Sequence, residues 1–294
     1  MKMPLILIIV PAVAGFFCFF IRSFLIRASV LISVSALHLL ISFFLLFFSG
    51  ARPAADSMLG FDGIGLLMLS LTSLLFLLSS IYSVGYISSH KDSVAKDEEE
   101  GFIFQDSPRH IFVSCMLLFC SAMTLVFASR DFGFLWVGIE ATTFASAPLI
   151  YYYRHHRSLE AVWKYVMICS VGIGFSLIGN IFILAAFPGS DSNVTLSFHA
   201  IKSKVLTLDP NWIKVAFVFF VVGYGTKAGL APLHSWLPSA HAESPAFISA
   251  LLSGALLNCA FLGIYRTQEI CHAAGIGDFS GNVLILLGCV STFI

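Results

Sequence analysis

The sequence predicts an all-α, polytopic transmembrane helix bundle, and three observations carry that reading. Of 294 residues, 58% are apolar by type and only 11% are charged, against roughly 25% Asp, Glu, Lys and Arg in a soluble domain. So few ionic groups cannot cover a water-facing surface, which excludes soluble enzymes and disordered chains. Sixteen basic and sixteen acidic residues cancel, so the chain lacks the basic footprint of a nucleic-acid binder. Finally, the charges are spaced with apolar runs of membrane length between them.

A membrane helix needs about 20 mostly apolar residues, and the spans follow from the gaps between ionic groups. Span one runs from Met3 to Ile21. Span two, Leu25 to Phe48, carries Arg27 near its start and His38 inside. Spans three and four are Gly63–Ser89 and Ile111–Ser129. Span five, Phe132–Tyr153, holds one acid, Glu140, and span six is clean from Tyr165 to Ser190. Span seven, Val215 to about Trp236, holds one base, Lys227, and span eight covers Ser244–Tyr265. A ninth begins at Phe279. Its sixteen residues to Ile294 would cover about 24 Å of a ~30 Å hydrocarbon core. The expectation is eight complete helices and the start of a ninth, in the N-terminal part of a longer protein.

Lys2, an apolar stretch and Ala12-Val13-Ala14 mimic a cleavable signal. The apolar run continues past that site and further spans follow at once, which favours retention as the first helix. The charge run Lys96-Asp97-Glu98-Glu99-Glu100 reads as solvated loop. The stretch from Asp191 to Pro210 reads as an extramembrane connection, and its sequon Asn193-Val194-Thr195 carries no weight without a secretory context. The positive-inside rule returns a tie. Arg22, Arg27, Lys91, Lys96, Arg109, Arg154 and Arg157 lie on one side, and Lys2, Arg52, Arg130, Lys202, Lys204, Lys214 and Arg266 on the other. The seven cysteines form no C-x-x-C pair and read as small apolar packing. Neither a metal nor a cofactor is expected.

Charge inside a span costs about 2.5–3.5 kcal/mol on insertion scales and is a functional hypothesis by default. Glu140 lies eight residues into its span and Lys227 near the middle of its own. An acid and a base on separate helices can neutralise each other in a low-dielectric interior. The bland alternative is that each snorkels or is merely structural. Lys164, four residues after Glu160, opens span six and reads either as a functional base or as an interfacial i,i+4 partner. From Lys227 to Pro245, three prolines (Pro232, Pro238 and Pro245) interrupt what should be helix. Such breaks survive at membrane depth only inside protein or beside a wet cavity, where transporters place ion sites. His234 and His241 flank the break. Each can relay protons near neutral pH or simply hydrogen-bond a carbonyl.

The run Gly223-Tyr-Gly-Thr-Lys227-Ala-Gly-Leu-Ala-Pro-Leu-His234-Ser-Trp-Leu-Pro238-Ser-Ala-His241-Ala-Glu-Ser-Pro245, followed by Ser249-Ala-Leu-Leu-Ser-Gly254, resembles the signature of antiporter-like membrane subunits. These occur in respiratory complex I, cation/proton antiporter complexes and membrane-bound hydrogenases. Ile139-Glu140-Ala-Thr-Thr-Phe-Ala-Ser-Ala-Pro148-Leu and Leu252-Ser-Gly-Ala-Leu-Leu-Asn258 look most like hydrogenase-4 component F. The resemblance implies a fold of about fourteen helices with two inverted five-helix repeats and a broken helix seven. On that pattern, 1–110 holds helices one to three and their loop, 111–265 the first repeat (helices four to eight), and 266–294 the start of a second, mostly missing repeat.

The resemblance also implies the site. Glu140 matches the family's acid on helix five, Lys227 its lysine on broken helix seven, and Lys164 the basic residue at the start of helix six. His234 and His241 match the histidines after the break. Where many relatives carry a lysine on helix eight, this chain has Asn258. The implied function is translocation of protons, or of sodium, by a non-redox membrane subunit of an NADH:quinone oxidoreductase-like complex or a hydrogenase. Electron transfer in partners would drive it: other membrane subunits and a soluble hydrogenase or dehydrogenase arm carrying Fe-S, or Ni-Fe, centres. No nucleic acid is expected. The implied location is the inner membrane, lipid-embedded, with the N-terminus outside the cytoplasm. Two alternatives stay open at this point: a non-conducting anchor for hydrogenase subunits, or a subunit of a cation/proton antiporter complex.

Overall fold

The computed structural model describes residues 2–48, 57–89, 95–96, 103–189 and 194–293. Residues 97–100 of the charge run and Asn193 of the sequon lie outside the described residues. The chain folds as a helix bundle. Its first elements are α1 (Lys2–Cys18), α2 (Phe24–Phe48), α3 (Gly63–Ser89), α4 (Arg109–Ala128), α5 (Phe132–Ile150) and α6 (His156–Ala185). There follow a short α7 (Phe198–Lys204), α8 (Pro210–Ala228), α9 (Trp236–Glu243), α10 (Ala246–Leu251), α11 (Leu257–Ala273) and α12 (Gly277–Phe293). Among the described residues, six helical segments are long and apolar enough to cross a membrane: α2 to α6, and the stretch from Ala246 to Ala273. α1 and α12, at 17 residues each, are shorter apolar helices. α4 is the most enclosed span, with α1 and α5 packed against it.

Six of the eight runs expected to be complete helices correspond to these segments; the first run is the shorter α1 and the seventh is interrupted after Ala228, and several ends move. α6 starts at His156, nine residues before the clean run begins, because His155 caps it. Its Nδ1 accepts from the Ser158 N–H, while Ser158 returns a bond to the His155 N–H. That reciprocal cap closes two open helix donors, so Lys164 lies two turns inside α6 and does not open it. The connection between α6 and α8 is not bare loop either. It contains α7 and a 3-10 turn, Val205–Thr207, with Phe198 and Ile201 buried. On the opposite end of the bundle, short strands β1 (Ala95–Lys96), β2 (Ile103–Asp106) and β3 (Tyr153–Arg154) pair antiparallel in that order. There the Tyr86 and Tyr153 hydroxyls meet at 2.8 Å.

The break lies where the sequence places it, yet glycine makes it. α8 stops at Ala228, and Gly229 follows with φ +75°, a left-handed conformation that side chains resist. Pro232 then prevents the helix from resuming. Pro238 is the third residue of α9, where no intrahelical donor is lost, so it interrupts nothing. Backbone groups freed by the break find partners. The Trp236 indole N–H donates to the Thr226 carbonyl at 2.8 Å, and the Ala231 N–H donates to Ser291 Oγ of α12 at 3.0 Å. Helix eight of the sequence reading contains a one-turn π-helical segment, Leu252–Leu256, between α10 and α11.

α8 is held against α6 by a close crossing at Gly172. A Cβ there would lie 2.6 Å from Thr226 Cβ, so only glycine lets the two backbones approach, as small residues do between membrane helices. That approach carries Lys227, the residue after Thr226, into the α5–α6–α8 interior.

Candidate functional site

Lys227 is fully buried, with 0% of its surface exposed. Its ammonium donates to Tyr165 OH at 2.6 Å and to Thr143 Oγ1 at 2.8 Å. Tyr165 OH and Ser146 Oγ are 2.6 Å apart, and Ser146 donates its hydroxyl proton to the Thr142 carbonyl at 2.7 Å. With that proton used, Tyr165 must donate to Ser146 and accept from Lys227. The result is a directed chain from Lys227 through Tyr165 and Ser146 to the α5 backbone. Trp236 of α9 packs on the Tyr165 ring, centroids 5.1 Å apart, so the element after the break also holds the lysine's partner.

Glu140 is on the same helix as Thr143, one turn away, or ~4.5 Å along the axis. Its Oε1 accepts from Ser170 Oγ of α6 at 2.7 Å. Its Oε2 is buried and has no hydrogen-bond partner among the described residues. No carboxylate of the described residues is within ion-pair distance of Lys227. The direct neutralisation that the sequence suggests is therefore replaced by hydroxyls. The antiparallel run of α5 and α6 aligns them, setting Ser170 opposite Glu140 and Tyr165 opposite Ser146.

The other predicted residues divide. Lys164 is 48% exposed and pairs with Glu160 at 2.6 Å, turned away from Lys227, while its neighbour Tyr165 is buried. His234 lies in the turn after the break, with Nδ1 buried and unpartnered among the described residues. His241, on α9, pairs with Ser249 Oγ of α10 at 2.6 Å. Asn258 donates to the Gly254 carbonyl inside the π segment at 2.7 Å. At the bundle end where α9 finishes, Glu243 pairs with His155 at 3.2 Å.

Sequence reasoning did not single out Tyr165, Thr143, Ser146 or Ser170. Their signal was present as Glu140, Thr143 and Ser146 three residues apart on α5, the spacing that sets polar groups near one face of a helix. Uncharged hydroxyls are ordinary in membrane helices, so spacing alone did not raise them.

The comparisons agree with this architecture. Residues 129–294 match the family described as NADH:quinone oxidoreductase/Mrp antiporter, TM. The hydrogenase-4 component F homolog of Methylacidiphilum infernorum is 34% identical over 254 residues, covering 85% of this chain and 51% of that protein. Hydrogenase-4 component B of Escherichia coli is 28% identical over 243 residues, 82% of this chain and 33% of its own. The chain thus spans about half the length of the first relative and a third of the second. Among solved structures, a chain of an archaeal membrane-bound sulfane sulfur reductase superposes with a TM-score of 0.76 at 19% identity, over 97% of this chain and 56% of that one. The buried lysine before a broken helix, the acid on the neighbouring span and a matched stretch that includes both put this chain in the NADH:quinone oxidoreductase/Mrp antiporter family of membrane subunits.

Proposed function

We propose that this chain translocates protons as a membrane subunit of a complex I-like oxidoreductase or membrane-bound hydrogenase, driven by electron transfer in partner subunits. The observation that carries the reading is the pairing of two incompletely satisfied groups around one hydroxyl cluster. Lys227 donates two hydrogen bonds, which suffices for a neutral amine and leaves one N–H of an ammonium over. Among the described residues, one buried oxygen of Glu140 has no hydrogen-bond partner. A proton added to either group changes what the other can do, and a buried amine and carboxyl strongly favour opposite charges when they approach. Moving one charge against 100 mV requires about 2.3 kcal/mol. In this proposal that energy comes from an arm bearing Fe-S, or Ni-Fe, centres, joined through other membrane subunits.

In the proposed path, Lys227 alternates between the Tyr165–Thr143 cradle and Glu140, then hands its proton on through His234, His241 and water. The charge needed to pull it from the cradle would come from a neighbouring subunit. Lys164, exposed on α6 and paired with Glu160, lies at the surface that such a subunit would cover, outside this path. Residues 111–265 act as one five-helix repeat, following 1–110, with 266–294 opening the next. The N-terminus lies outside the cytoplasm and the α5–α6 turn inside, in the inner membrane.

The test uses the whole complex in sealed vesicles, with electron flow and ion uptake measured together. Lys227→Ala and Glu140→Gln should abolish coupled acidification while assembly survives. Replacing sodium with choline separates the ion species, since a proton carrier keeps its activity. Unchanged pumping in both variants overturns the proposal and leaves an anchoring role.

A further inference from the structure

We infer that His38 is a second proton-binding site, set in the α2–α3–α4 unit apart from Glu140 and Lys227. The residue is 3% exposed and uses both ring nitrogens. Nδ1 is 2.9 Å from Ser73 Oγ of α3, and Nε2 is 2.9 Å from Thr124 Oγ1 of α4. Each hydroxyl has one proton to give. Ser73 points its proton at the Leu69 carbonyl, 2.6 Å away, and Thr124 points its own at the Cys120 carbonyl, 2.8 Å away. With both protons so placed, each hydroxyl can only accept from the ring. Two accepting partners require two N–H donors, and that ring is an imidazolium.

The neutral ring requires one change. One nitrogen must accept, so either Ser73 or Thr124 turns its O–H from its helix carbonyl to the ring. The same heavy-atom positions therefore serve two protonation states that differ by one proton and one hydroxyl rotation. A charge buried without a counter-ion is costly, whereas the forgone Ser or Thr back-bond is weak, so the neutral ring is the resting form. Proton uptake forms an N–H bond at the accepting nitrogen from hydronium, leaving water, and the displaced hydroxyl returns to its carbonyl. A cavity of about 10 Å³ lies beside the ring, walled by Leu7 and Pro11 of α1 and Val34 and Ile41 of α2.

Among the described residues, no charged side chain faces the ring. α3 has no Asp, Glu, Lys, Arg or His, and its Tyr82 and Tyr86 come nine or more residues after Ser73. α4 carries Arg109 and His110 at its far end, Cys115, and Cys120 one turn from Thr124. α1 carries Lys2 at its first residue and Cys18 at its last. On α2 itself, Arg27 is eleven residues away and bonds the Arg22 and Ser23 carbonyls. The proton held at His38 is stabilised by the two hydroxyls alone.

The test is nitrogen-15 NMR of histidine-labelled chain in lipid nanodiscs between pH 4 and 8, with His38→Gln identifying one resonance among nine histidines. The expected result is reversible conversion of that resonance from one N–H to two. Ser73→Ala or Thr124→Ala should each lower proton affinity about tenfold, the effect of losing one hydrogen bond to a charged group. A folded protein whose His38 keeps a single N–H throughout, or titrates identically in both hydroxyl variants, overturns the inference. Glu140→Gln and Lys227→Ala should leave the titration unchanged, and its loss there would overturn the claim of a separate site. The readout is independent of whether the chain pumps.

Discussion

The Lys227 ammonium is 2.6 Å from the Tyr165 hydroxyl, and that contact joins the two halves of the proposed machinery. Tyr165 belongs to α6, whose first turn is capped by His155, and its ring packs on Trp236 of α9, beyond the break. The lysine is thus held by a residue that both neighbouring elements position. In the proposed path Tyr165 competes with Glu140 for the lysine, so the strength of one contact would set how readily the other forms.

Removing the competitor should therefore be felt in transport. Tyr165→Phe keeps the ring on Trp236 and deletes only the hydroxyl, and a hydrogen bond to a charged group is worth about 1.5–3 kcal/mol. Coupled ion uptake should fall at least tenfold in vesicles, with subunit assembly retained. Thr143→Val should produce a smaller loss in the same direction. Wild-type rates in Tyr165→Phe would show that the cradle is only packing.

Lys164 separates the family pattern from the geometry. It is exposed and held by Glu160 in an i,i+4 pair, and such surface pairs contribute little. Lys164→Gln should leave coupled uptake within about twofold of wild type, since a solvated pair is screened from the buried site. A loss as complete as that of Lys227→Ala would instead put Lys164 in the conducting path.

The Gly172 crossing should be unforgiving, and a nearby glycine supplies its control. Gly172→Ala puts a methyl 2.6 Å from Thr226 Cβ, whereas a Cβ at Gly174 meets nothing within 4 Å. Overpacking a tight contact costs about 1–3 kcal/mol. Thermal unfolding in detergent should show Gly172→Ala clearly lowered and Gly174→Ala unchanged or raised. Equal melting temperatures for both would mean that α8 simply shifts away.

Trp236→Phe should weaken the break itself. It removes the indole donor to the Thr226 carbonyl and leaves that acceptor with only the Gly229 N–H at 3.2 Å, the loss of one hydrogen bond worth about 0.5–1.5 kcal/mol. Hydrogen exchange of residues 224–237 should accelerate well ahead of that in α4. Uniform protection in both variant and wild type would show that water or another donor replaces the indole.

Membrane location, the approximate spans and the two most informative ionisable residues were legible in sequence because they rest on solvation. A charge either has water nearby or lies in an apolar run, and linear spacing reports that directly. Glu140 and Lys227 stood out for this reason, as did the interruption after Lys227. The start of α6 was less legible, since a histidine cap, rather than hydropathy, sets it.

What the site residues touch was decided by tertiary structure. Successive helical residues differ by about 100° in direction, so Lys164 and Tyr165 are neighbours in sequence yet face the exposed surface and the buried lysine respectively. The spans are apolar nearly all round, so no face is marked in advance, and close approach at Gly172 fixes how α6 and α8 are rotated. Hydroxyls such as Ser73, Thr124, Thr143 and Ser146 carry no charge to announce them. Their meaning comes from which proton each has already given to a backbone carbonyl, and only three-dimensional packing determines that.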